Sequence, residues 1–173
     1  MNEQFSLIPN SVAQQLAVTE IIRCNQTTSQ YGLILNESDA AELAQTRSEV
    51  LEKVGRIEFA GGVISKLIME FCDSPYLSQF NYAETLNELI ETFYYFKNET
   101  LDEVDDDDLI AFMKKYFNET SRGSLDLLQD RDLESLARNI RYGDENPDDS
   151  GEEFDDFIHE FFHLRREFEP FEE

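Results

Sequence analysis

The chain's only two histidines stand in one string, His159-Glu160-Phe161-Phe162-His163. On a helix, this H-E-x-x-H spacing sets two imidazoles one turn apart. They can bind zinc there while the glutamate takes a proton from metal-bound water, which is the chemistry of a metallohydrolase. That chemistry also needs a third ligand and a dry cavity. Only ten residues follow His163, and their remaining donors are Glu167, Glu169, Glu172 and Glu173. With Phe154 at 0° and 100° per residue, His159 and His163 fall near 140° and 180°. They lie opposite Phe154, Phe157, Ile158 and Phe161, and share their face with Glu152 and Asp156. A solvated face of an amphipathic helix explains the pattern better than a protease helix, whose histidines turn inward. His159, Glu160 and His163 therefore stand as a metal-site alternative, and no cofactor is expected.

Asp105–Asp108 invites a calcium reading. The spacing lacks the alternating oxygens, central glycine and closing glutamate of an EF-hand. Four acids where a helix begins are favoured by its free N–H groups and dipole. Arg47 is more informative. It lies three and four residues from Leu43, Ala44, Val50 and Leu51, so its stem must cross apolar surface. It either snorkels out or pairs with a carboxylate, Glu58 or Glu70. The structural reading is an ion pair fixing its helix against the Gly55–Gly62 loop. The functional one is an anion site with N–H groups from the Gly61-Gly62 helix start. Cys24 and Cys72 sit at helix ends on apolar sides and read as inert buried thiols. No Ser-His-Asp or Cys-His arrangement exists to propose, and the residues lean toward a non-enzyme without deciding it.

These residues need elements to position them. The most regular stretch is 81–98, with Asn81 as expected N-cap and Glu84 closing a capping box. Tyr82, Leu86, Leu89, Ile90 and Phe93 share one side, flanked by Tyr94 and Phe96. Such a broad arc suits a central helix with neighbours on both sides. Tyr95 points away from it, beside Glu84, Glu88 and Glu91, and either packs against another helix of the bundle or is a partner-binding candidate.

Before this stretch, residues 1–10 read as an irregular lead ended by Pro9, with Asn10 or Ser11 capping a helix to about Asn25. Its inward side is expected to carry Ala13, Leu16, Ala17, Ile21 and Cys24. A second helix runs from Asn36 or Ser38 to Val54, with Gly55 just past its end. Gly61-Gly62 opens a third, stopped at Asp73-Ser-Pro75. After the central stretch, one helix runs to Asn118 on Leu109, Phe112, Met113, Tyr116 and Phe117. Another covers Arg131–Tyr142, with Leu133, Leu136, Ala137 and Ile140 facing in. Gly143 ends it, residues 144–151 form an acidic linker, and a last helix carries the phenylalanines of 152–168.

The full chain has 173 residues, 38 acidic and 14 basic, for a formal net charge of −24. Residues 99–173 hold 25 of the acids against 8 bases. Such a surface disfavours direct binding to nucleic acid or an anionic membrane. It suits a basic protein partner, or mimicry of nucleic acid toward one. Two cysteines make no disulfide framework, the start lacks a signal-peptide pattern, and no apolar run reaches membrane-span length. The cytoplasm is the expected compartment.

Gly55-Arg-Ile-Glu-Phe-Ala-Gly-Gly62, Phe71-Cys-Asp-Ser-Pro-Tyr76, Asn81-Tyr-Ala-Glu-Thr-Leu86 and Phe93-Tyr-Tyr-Phe-Lys-Asn-Glu-Thr100 resemble an uncharacterised family of small acidic proteins from Gram-positive bacteria. The resemblance covers about residues 5–143. It implies a cytoplasmic bacterial protein and supplies no catalytic residues.

The expectation is an all-α fold: a single bundle of six or seven helices over residues 1–143, then an acidic linker and C-terminal amphipathic helix over 144–173. The expected function is non-enzymatic protein binding, through Tyr95 or through Phe157 and Phe161 of the last helix. That aromatic arc is too apolar to stay bare, so it packs in cis, enters a partner's groove or forms a homo-oligomer contact.

Overall fold

Helices start where a polar residue or glycine meets the onset of 3.6-residue periodicity, and they set the architecture. The computed structural model describes residues 3–142, with side chains from Val12 onward, and is all-α. α1 spans Glu3–Arg23. A short α2, Asn25–Thr28, continues into a 3₁₀ turn, Ser29–Tyr31. Then come α3 (Glu37–Val54), α4 (Gly62–Phe71), α5 (Tyr82–Glu99) and α6 (Asp106–Glu119). α7, Leu125–Leu127, leads through a π-helical turn, Leu128–Leu133, into α8, Glu134–Tyr142. The linker and last helix expected over 144–173, with Phe157, Phe161 and the His159–His163 motif, lie outside the described residues.

α5 is the central element, packed against α3, α4, α6 and α8. Leu86, Leu89, Ile90 and Phe93 are fully buried, and Tyr82, Tyr94 and Phe96 nearly so. α4 and α6 each bring a narrower stripe to it: Val63, Ile64, Leu67, Ile68 and Phe71 from one, Leu109, Phe112, Met113, Tyr116 and Phe117 from the other. Phe71 and Phe117 meet edge to face, with ring centroids 5.5 Å apart, which joins these two helices directly.

α1 differs from expectation. It begins at Glu3 and runs through Pro9. A proline inside a helix removes one ladder hydrogen bond and crowds the carbonyl four residues back, at about 3 kcal/mol, but here it does not end the helix. The inward stripe is also thinner. Ala17 and Ile21 are buried and Cys24 is half-buried, whereas Ala13 and Leu16 are exposed.

The two asparagine caps divide. Asn36 caps α3: its Oδ1 accepts from Asp39 N at 2.7 Å, and Asp39 reciprocates to the Asn36 N–H, closing a capping box. Asn81 does not cap α5, and the expected box with Glu84 is absent. Its backbone sits at φ −107°, ψ 3°, so its side chain turns back on the preceding loop. There it accepts from Ser78 N at 2.9 Å and donates to Tyr76 O at 3.1 Å.

Candidate functional site

α3 carries Arg47 on its apolar stripe, and the chain folds the 56–61 connector across it. Arg47 is 5% exposed. Its Nη1 donates to Gly61 O at 3.0 Å and its Nη2 to Ala60 O at 2.6 Å, while Glu58 Oε1 lies 3.8 Å from Nη1. Ala60 (φ 54°) and Gly62 (φ 46°) are both left-handed, which is how the connector presents two consecutive carbonyls to one guanidinium. Glu70, the other expected partner, faces Lys114 at 3.9 Å instead.

The helix start beside Arg47 is filled by the protein's own carboxylates. Glu58 Oε1 accepts from Val63 N at 2.8 Å and Glu20 Oε2 from Gly61 N at 2.7 Å. Tyr94, reaching from α5, donates to the other oxygen of Glu58. A Cβ on Gly62 would run into Glu58 Oε1, so glycine there serves the close approach as well as the backbone angle. Two of the N–H groups that an external anion would use, those of Gly61 and Val63, are thus already engaged. Burial, and then the negative charge of Glu58, push the Tyr94 phenol far above its ordinary value, so it stays a donor. The cluster locks α1, α3, α4 and α5 together.

Two further buried charges escaped the sequence reading. Lys97 donates to Val104 O and lies 2.9 Å from Asp106 and 4.0 Å from Asp102. It braces the α5–α6 turn, where Leu101 and Asp102 are left-handed at φ 57° and 60°. Its signal was present: it continues the Leu86, Ile90, Phe93 side of the helix. Asp132, in the π-helical turn, accepts from Ser121 at 2.7 Å, Thr120 at 3.0 Å and Arg131 at 2.9 Å. Of the acidic run, Asp106 pairs with Lys97 and Asp107 with Lys66 at 2.8 Å. Both cysteines are free thiols. Among the described residues, no group of three His, Cys, Asp or Glu side chains could hold a metal ion.

Two surface features remain. A groove of about 480 Å³ runs between α1 and α3. Ala13, Ala17, Ala44 and Ser48 form its walls, and Arg47, Leu51, Arg56 and Ile57 lie along it. The second feature is the outer face of α5. Glu84, Glu88, Glu91 and Tyr95 recur there at helical spacing, all exposed. Tyr95 is 56% exposed, and its ring stands edge-on to buried Phe96 with centroids 4.9 Å apart. Partial desolvation, followed by repulsion from Glu84, Asp126 and Glu91, raises the Glu88 carboxyl above its ordinary value. Carboxylates from two elements are crowded on one face, with a propped aromatic at its end.

Residues 20–146, from the last turn of α1 to just past α8, match the model of a family of unknown function, DUF6323. The chain belongs to that family. No curated protein and no solved structure matches this DUF6323 chain. Among the described residues, no helix is long and apolar enough to cross a membrane.

Proposed function

We propose that this DUF6323 protein is a non-enzymatic, cytoplasmic bacterial module that binds a basic protein through the outer face of α5. The observation that carries the reading is the juxtaposition of Tyr95 with the Glu84–Glu88–Glu91 stripe. A tyrosine half in water, its ring already oriented by Phe96, offers contact area at low entropic cost. Crowded carboxylates gain from an approaching cation because it relieves their mutual repulsion. The net charge of −24 draws such a partner in.

The test is capture from the native host on immobilised full-length protein. A basic partner is retained at about 0.1 M salt, where screening reaches only ~10 Å. Tyr95→Ala lowers its retention roughly 30-fold, the effect of a ~2 kcal/mol hot spot, and Glu88→Lys with Glu91→Lys lowers it further. Tyr95→Ala keeps the parent's thermal midpoint, because the side chain is exposed, and the lysine pair does not lower it, because it relieves repulsion among exposed carboxylates. Unchanged capture by both variants overturns the reading. A nucleic-acid mimic would use the same carboxylates, and it is distinguished by duplex DNA displacing the captured partner.

A further inference from the structure

We propose that the protein pairs with a second copy of itself through the loop face at the start of α5, where Phe80 of each copy seats against Ile34 of the other. The inference does not depend on the partner face of α5.

Two connectors make this face, residues 24–36 and 74–83. Neither contains an Asp, Glu, Lys or Arg. At the chain's average of 30% charged residues, these 23 positions would carry about seven. Charges resume just outside, at Arg23, Glu37, Asp73 and Glu84. The fold joins the two connectors. Gln79 Nε2 donates to Ile34 O at 2.8 Å, and Gln79 Oε1 accepts from Ile34 N at 2.7 Å. Thr28 lies beside Tyr82.

The apolar residues of this face project into water from a held backbone. Phe80 is 99% exposed, Ile34 52% and Tyr31 50%. Leu33 and Leu35 are buried on either side of Ile34, so Ile34 has to point out. The Asn25 amide clamps Leu35 as Gln79 clamps Ile34, accepting from its N–H at 2.9 Å and donating to its C=O at 2.8 Å. Asn81 ties the loop of Phe80 through Ser78 N and Tyr76 O. A ring presented on a fixed backbone loses little freedom when it is covered, and a bare phenylalanine gains much from being covered.

Charge and hydrogen-bonding chemistry name the occupant. Two chains of net −24 repel each other wherever their acidic faces meet. At the uncharged face, two copies approach without setting carboxylate against carboxylate. A basic partner finds no carboxylate on these connectors to pair with. The exposed polar groups here, on Gln26, Ser29, Gln30 and Ser78, are amides and hydroxyls, which donate and accept alike. Such a patch is its own complement across a twofold axis, where residue i meets j and j meets i. Two short connectors make a small interface, so the pairing falls in the weak, transient class.

The experiment is sedimentation of the full chain over a low to high micromolar concentration series. Sodium chloride is set at 20 and at 300 mM, settings chosen around the Debye range. The chain is expected to pass from monomer to dimer, and to do so at lower concentration in the higher salt, because screening removes the repulsion between copies. Phe80→Asp, a change at a fully exposed position, is expected to weaken self-association at least roughly 30-fold, because a twofold interface loses the ring twice. Its helical circular dichroism stays that of the parent. Tyr95→Ala is expected to leave self-association unchanged, which separates this face from the one on α5. A photoreactive benzophenone analogue of phenylalanine at position 80 is expected to give a product of twice the chain mass, joined within residues 29–36. A monomer at every concentration, a dimer that dissociates as salt rises or survives Phe80→Asp, or cross-links to any other segment overturns the proposal.

Discussion

Tyr94 and Tyr82 show what burial does to a phenol. Tyr94 donates to Glu58, and the buried Tyr82 hydroxyl has Thr28 beside it. Burial is the leading cause raising both phenols, and it also raises the thiols of Cys24 and Cys72. The unfolded chain releases these protons near their ordinary values, about 9 for a thiol and about 10 for a phenol, while the native protein retains them. Above those values the unfolded state binds fewer protons, so stability falls as pH rises, by about 1.4 kcal/mol per pH unit for each retained proton. The decline is expected to begin near pH 9 and to steepen above pH 10. Tyr94→Phe removes one phenol from the steep part and makes it shallower by that amount. Urea unfolding between pH 8 and 11 measures the slope, and absorbance of the native protein counts the phenols that ionise. If all seven tyrosines of the folded protein titrate near pH 10, the account is wrong.

At the scale of elements, the asparagines before α3 and α5 look alike in sequence and behave differently. Asn36 satisfies the α3 N–H ladder, so Asn36→Ala is expected to cost about 1 kcal/mol and to speed amide exchange in the first turn of α3. Asn81→Ala is expected to loosen the 76–81 loop instead, with faster exchange at Ser78 and an unchanged first turn of α5. Equal opening of both first turns would remove the distinction. The same contrast explains how far the chain could be read in advance. Stripes repeated every three to four residues on α3, α4, α5 and α6 name the buried faces, because a helix with an apolar stripe has few ways to hide it. The Gly55 stop and the thin first helix were visible in outline too. What escaped were choices made by distant residues. Asn81 bonds to a loop rather than to its own helix, Glu58 caps α4 only because Tyr94 and Arg47 surround it, and α1 continues through Pro9. Tyr95 could be placed from sequence, since a residue opposite an apolar arc has nowhere else to point. The α1–α3 groove could not, because it depends on how two helices pack and on alanines that carry no pattern of their own.

For the whole molecule, charge is the term that sets behaviour in solution. The chain carries 38 acids and 14 bases, and folding brings the acids of residues 3–142 closer together than they stand along an open chain, which raises their repulsion. Added salt screens that repulsion and also weakens ion pairs such as Lys66–Asp107 and Lys114–Asp73, so the two effects oppose each other. The pairs are partly or largely exposed and contribute no more than about 1 kcal/mol each. Lys97 and Arg47 are buried, where screening reaches poorly. The net repulsion therefore wins, and raising sodium chloride from 20 to 300 mM, experimental settings chosen around the Debye range, is expected to raise the thermal midpoint. Each kcal/mol recovered corresponds to about 2–4 °C for a chain of this size. An uncharged osmolyte at matched osmolality separates screening from general exclusion effects. Binding of a basic partner to the α5 face must respond in the opposite sense, because the attraction that salt screens there is favourable. A midpoint that falls with salt would show that the ion pairs dominate and that the crowded carboxylates are structural. A midpoint that rises while capture by the Tyr95 face falls would tie both effects to one set of side chains: the acids that strain the free protein are the ones a cationic partner relieves.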